Sequence, residues 1–177
     1  MTGIADVLRA LDAIGAPHAL IGAHAMAARG YPRFTVDIDI LTADARVLDR
    51  PTWTELERTG AVVERRRGDP DDPLGGVVRI SQTGVPDVDV VLGKWKWEAN
   101  VIDRAEPMLL GDVSVRVPRL ADLILLKLAA GGSLDLHDAT VLLTLGQRDA
   151  LVREIEERLP DVRPDVSYAW RALLDGR

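Results

Sequence analysis

Cysteine is missing altogether from the 177 residues, which excludes a disulfide scaffold, a thiolate nucleophile and a cysteine-ligated zinc site. Any metal must therefore be held by oxygens or by the three histidines. Long apolar runs are missing too: none approaches the ~20 residues that a membrane-crossing helix needs. The N-terminus carries acids within an amphipathic pattern instead of a basic segment and an apolar core, so the chain reads as unexported, cytoplasmic and without a membrane partner. Excess positive charge is the third absence. A formal charge of −6 argues against a general nucleic-acid binder, because such proteins gain affinity by releasing counterions with a large basic surface. The one dense cationic cluster, Arg65-Arg66-Arg67, borders a Gly/Pro/Asp stretch from Gly68 to Gly76 that reads as a loop. It serves either as a solvated edge or as a local phosphate contact.

What the chain does have is apolar residue enough for one core: 47% of it is hydrophobic and it contains four Trp. Apolar spacing predicts a helix from Ile4 to Ile14, ended by Gly15 and Pro17. A short strand from His18 to Ile21, a glycine turn and an alanine-rich helix from Ala23 to Arg29 follow. Alternation then predicts a strand from Thr35 to Leu41, a helix from Thr52 to Thr59, and strands at Val62 to Arg66, Val77 to Ser81, Asp87 to Leu92 and Val113 to Val117. Lys94-Trp95-Lys96-Trp97 reads as an edge strand with one aromatic face, or as an indole platform for a base. From Leu120 onward the pattern is helical, with segments at Leu120 to Ala130, Leu136 to Leu145, Asp149 to Leu159 and Ser167 to Leu174. The expected class is α+β: a small mixed sheet with flanking helices over residues 1–118, then a helical part over 119–177.

The stretch Arg33-Phe34-Thr35-Val36-Asp37-Ile38-Asp39-Ile40-Leu41 carries the most chemistry. If all of it is strand, Val36, Ile38 and Ile40 face a core while Arg33, Thr35, Asp37 and Asp39 share the other face. Like charges roughly 7 Å apart on one strand face repel, and an oxygen-preferring divalent cation between them relieves the conflict. A half-exposed strand with a wet polar face is the plain alternative. A third acid stands in the later strand, where Asp87, Asp89 and Val91 alternate with Val88, Val90 and Leu92. If the two strands are neighbours, Asp89, or Asp87 in its place, meets Asp37 and Asp39 at a strand spacing of roughly 5 Å. Without neutralisation by lysine or arginine such a trio requires metal.

Lys127 is the only cation in an almost wholly apolar helix, so it either snorkels to water or is aimed at an anion. Arg33 is placed either for a salt bridge to Asp37 or Asp39 or for a substrate contact. His24 reads first as a hydrogen-bonded structural histidine, and His18 and His137 offer no ligand spacing. Asp135 and Asp138 suit helix capping.

Gly22-Ala23-His24-Ala25, then Gly30, Arg33, Thr35, Asp37 and Asp39, then Asp89 and Lys127-Leu128-Ala129-Ala130 with Asp135 and Asp138, form an ordered set. It resembles the DNA polymerase-beta-like nucleotidyltransferase superfamily, in particular the branch holding the nucleotidyltransferase toxins of type IV toxin–antitoxin systems. The resemblance spans roughly residues 18 to 142. It implies transfer of a nucleoside monophosphate from an NTP to a hydroxyl on a tRNA, a protein or a small molecule, and an antitoxin as possible partner. Asp37, Asp39 and Asp89 would be the catalytic and metal-binding acids, holding two Mg²⁺ ions or Mn²⁺ in their place. Gly22, Ala23, Arg33 and Lys127 would bind the nucleotide, with Asp135 and Asp138 accompanying the lysine. The family carries Gly or Ser where this chain has Ala23, so a hydroxyl contact to the triphosphate is missing and backbone N–H groups must serve alone. That departure also fits a catalytically silent member that binds nucleotide or a partner protein.

Overall fold

The computed structural model describes residues 3–175. Helix α1 (Ile4–Ala13) buries Val7, Leu8 and Leu11 along one stripe and stops at Gly15, whose φ of +64° suits glycine. Strand β1 (His18–Ile21) runs straight into α2 (Gly22–Ala28), and β2 (Ile38–Thr42) returns antiparallel to β1. Two 3₁₀ turns (Ala45–Leu48 and Arg50–Trp53) lead to α3 (Thr54–Arg58), so the first two residues of the helix expected over 52–59 belong to the 3₁₀ turn that carries Pro51 at its start. Strands β3 (Val62–Arg67) and β4 (Gly76–Ser81) form a hairpin, and β5 (Val88–Leu92) completes the sheet. Its order is β1-β2-β5-β4-β3, with β2 and β5 parallel and the other pairs antiparallel. The fold is therefore α+β around a small mixed sheet, as the residue pattern predicts.

One sheet face is apolar and buried: Ile38 and Ile40 from β2, Val88 and Val90 from β5, Val78 and Ile80 from β4. Strand alternation sends Asp39, Asp89 and Arg79 to the opposite face. After β5 come α4 (Lys96–Arg104), the hairpin of β6 (Glu106–Leu110) and β7 (Val113–Val117), and helices α5 (Leu120–Ala130), α6 (Ser133–Leu142), α7 (Arg148–Glu156) and α8 (Pro164–Leu174). Helix α5 is apolar nearly all round because α6, α7 and α8 pack about it, and its side chains belong to the same core as the sheet. No helix among the described residues is long and apolar enough to cross a membrane.

Several local expectations are corrected. The acidic strand begins at Ile38, not Thr35, because its ladder partners begin there: Ile21 lies opposite Asp39 and Val88 opposite Ile38. Residues 33–37 are irregular, Val36 points to solvent, and the Thr35 hydroxyl donates to the Asp37 carbonyl instead of forming strand. Arg33, Thr35 and Asp37 therefore do not share a pleated face with Asp39. Lys94 to Trp97 is no edge strand. The Glu98 carboxylate accepts the N–H groups of Lys94 and Trp95, each at 2.7 Å, and starts α4 while Trp97 is buried. The strand expected at 62–66 is met and runs one residue further, so the arginine run 65–67 lies in edge strand β3 beside the loop, where its charge blunts that exposed edge.

Candidate active site

Gly22 sits where β1 turns into α2, with φ +64°. A side chain is excluded there twice over, since a Cβ would lie 2.1 Å from Asp39 Oδ2. The glycine turn thus rides directly on the Asp39 carboxylate. Ala23, next in line, is buried and offers only its backbone, and α2 has no side-chain cap on its first N–H groups.

Asp39 lies directly across from Asp89 in the parallel β2/β5 ladder, so the two carboxylates stand abreast on one face. Asp89, not Asp87, is the acid in register; the Asp87 carbonyl instead accepts the Ile38 N–H at 2.9 Å. Burial pushes the Asp39 carboxyl above the ordinary carboxylate range, and the charges of Asp89 and Asp37 push it further, while Lys127 and His24 act the other way.

Arg79 is the site residue that sequence reasoning missed. It faces Asp89 in the β4/β5 ladder and grips it with two hydrogen bonds: Nε donates to Oδ1 at 2.8 Å and Nη2 to Oδ2 at 2.6 Å. Nη2 also lies 3.7 Å from Asp37 Oδ2. The acids are therefore partly neutralised by an arginine, and by Arg79 instead of Arg33. The signal was present in part, because Val78 and Ile80 point inward and force Arg79 onto the acidic face. Which strand would pair with β5 was not legible locally.

Lys127 is only 7% exposed, and its Nζ lies 2.8 Å from both Asp135 and Asp138. Those acids hold the lysine and do not cap a helix; α6 has no side-chain cap. Arg33 Nε lies 3.4 Å from Asp138, so its ion pair is with Asp138 and not with Asp37 or Asp39. Arg33, Asp138, Lys127 and Asp135 form a charge-balanced chain that ties the loop before β2 to α5 and α6. His24 Nδ1 is buried and has no hydrogen-bond partner among the described residues, contrary to the expected hydrogen-bonded role, and His18 Nδ1 pairs with the Ala16 carbonyl at 2.9 Å. A second buried acid, Asp122, is held by Arg104 at 2.7 Å and Arg158 at 3.2 Å and belongs to the helical packing.

The donor set of Asp37, Asp39 and Asp89 is all oxygen and fits Mg²⁺ or Mn²⁺ in kind. In position it fits only in part. Among the described residues no three carboxylates or imidazoles are placed to hold a metal as they stand, and Arg79 supplies the positive charge at Asp89.

No family model and no curated protein matches the chain. Solved structures do. The antibiotic-resistance factor ANT(2'')-Ia in solution superposes with a TM-score of 0.55 at 20% identity, covering 89% of this chain and 91% of its own. A crystal structure of ANT(2'')-Ia in complex with adenylyl-2''-tobramycin gives 0.55 at 19% identity, covering 88% and 96%. The lincosamide antibiotic adenylyltransferase LnuA, lincomycin-bound, gives 0.52 at 14% identity, covering 81% and 96%. The chain has the nucleotidyltransferase fold that these proteins share.

Proposed function

We propose that the protein is a nucleotidyltransferase of the DNA polymerase-beta-like superfamily that moves a nucleoside monophosphate from an NTP to a hydroxyl acceptor. The observation that carries the reading is the pair Asp39 and Asp89, abreast on the acidic face of a nucleotidyltransferase-fold sheet with Asp39 beneath the Gly22 turn. The acceptor oxygen attacks the α-phosphorus, the bond to the β-phosphate oxygen breaks, and pyrophosphate leaves. The hydroxyl proton would pass to the Asp89 carboxylate or to water. Asp37, Asp39 and Asp89 would hold Mg²⁺, which offsets phosphate charge and activates the hydroxyl when bound. Gly22 and Ala23 present backbone N–H groups to the triphosphate. Lys127, already paired twice, acts on the nucleotide through its field at Asp39, and Arg33 steadies it through Asp138.

A small hydroxyl-bearing molecule is the favoured acceptor. The net negative charge disfavours RNA, and the fold neighbours include proteins bound to an adenylylated tobramycin and to lincomycin. A tRNA or protein acceptor and an antitoxin partner form the less favoured branch. A catalytically silent nucleotide binder is the second reading, favoured by Ala23 and by the grip of Arg79 on Asp89. Calorimetry with each NTP and Mg²⁺, run beside a pyrophosphate-release assay over hydroxyl-bearing antibiotics and total tRNA, separates the two. Release of pyrophosphate with one acceptor class supports transfer. Tight binding without release supports the silent reading, and neither binding nor release defeats both.

A further inference from the structure

Arg79 lies in the middle of the acidic face, not at its edge. Its guanidinium forms a two-toothed pair with Asp89 and reaches to 3.7 Å from Asp37. Every other nearby cation is already spent: Lys127 on Asp135 and Asp138, Arg33 on Asp138. The planar fork of an arginine satisfies a carboxylate on the two oxygens that a hard cation would also use. Asp89 cannot present both oxygens to the guanidinium and ligate a divalent ion at once. Like charges would also be crowded together. Yet the Arg79 side chain is 45% exposed and, among the described residues, is paired only with Asp89 and Asp37, so it can swing toward water once that grip is broken.

We infer that Arg79 is a built-in counter-ion of the acid cluster, and that Mg²⁺ or Mn²⁺ is taken up at Asp89 only in exchange for it. This rests on the nucleotidyl-transfer reading of the same carboxylates. In the metal-free protein Arg79 relieves the repulsion among Asp37, Asp39 and Asp89 on the inner strands of the sheet and the loop before β2. Metal uptake moves that relief from the arginine to the ion and releases a cationic side chain on the face where a triphosphate would lie. The cost of breaking a charge-assisted pair lowers the protein's own metal affinity.

The test is Mn²⁺ binding to the full chain without nucleotide, read from the loss of the free-ion electron paramagnetic resonance signal, for wild type, Arg79→Gln, Asp89→Asn and the double variant. Loss of one charge-assisted pair predicts that Arg79→Gln binds Mn²⁺ roughly tenfold more tightly than wild type. The double variant should lose that gain. Melting adds a second readout: Arg79→Gln should melt below wild type in metal-free buffer and gain more than wild type on adding Mn²⁺. Equal Mn²⁺ affinity in wild type and Arg79→Gln overturns the exchange, as does a gain that survives Asp89→Asn. If wild type nevertheless releases pyrophosphate, the transfer reading stands while the exchange falls. Absence of Mn²⁺ binding to every variant, with no turnover, removes both.

Discussion

At the scale of single residues, Gly22 and Asp39 define each other. The turn can pass over the carboxylate only because position 22 has no side chain and takes a positive φ. Gly22→Ala adds backbone strain of about 1–2 kcal/mol before the overlap with Asp39 is counted. Urea unfolding should show at least that loss, and NTP affinity should fall with it. Asp39 makes an opposite prediction for stability. Its folded-state carboxyl lies above the ordinary value of 3.8, so the folded chain holds that proton more tightly than the unfolded chain does. Stability from this group is present in acid and lost as pH rises through the folded-state value. Asp39→Asn should therefore melt above wild type at pH 7, and the difference should vanish near pH 3. A variant that melts below wild type at neutral pH would mean the carboxylate is stabilised by contacts other than those described. Both residues were legible in the sequence, as a glycine after a short strand and an Asp-x-Asp pair. Arg79 was not, because an arginine in a strand becomes a site residue only through the strand it happens to face.

Elements were legible where periodicity is local and obscure where pairing is distant. Helices α1 and α5 and strands β1, β4, β5 and β7 lie close to their expected bounds, since apolar spacing of 3.6 or 2 is written directly in the chain. Helices α6 and α8 each begin three residues earlier than expected, at Ser133 and at Pro164, the latter a residue that favours a first helical position. Strand β6 was missed although Gly111-Asp112 between two apolar runs is a hairpin signal, and Gly111 has the φ of +59° such a turn requires. Helix α4 was hidden by the alternating Lys-Trp pairs. Its start depends on Glu98 folding back to accept two N–H groups. Replacing Glu98 with Ala should cost about 1–2 kcal/mol in a denaturant titration, the usual price of losing a helix N-terminal acceptor. A neutral result would show that burial of Trp97 alone holds the helix.

At the scale of the whole molecule, the sheet and the C-terminal helices share one core and are also keyed together by charge. Lys127 on α5 joins Asp135 and Asp138 on α6 to Arg33 in the loop before β2. Asp138 is fully buried, so Lys127→Met leaves its carboxylate with only the longer 3.4 Å contact to Arg33 and should cost about 3 kcal/mol in thermal or urea unfolding. Lys127→Met combined with Asp138→Leu should recover much of that loss, since removing both charges removes the penalty; no recovery would mean the ammonium acts elsewhere. The order of motifs along the chain was readable, whereas the parallel β2/β5 pairing that sets Asp39 beside Asp89 depends on a crossover of more than forty residues and appears only in the fold. The central claim is that these two carboxylates serve nucleotidyl transfer. Its most direct test is transfer of α-³²P label from an NTP to a hydroxyl-bearing antibiotic in Mg²⁺ by wild type and by Asp39→Asn. The account predicts labelled product with wild type and a loss of roughly a hundredfold or more in the variant with its fold intact, as expected when a metal-holding acid is removed. Labelled product formed equally well by the variant would contradict it.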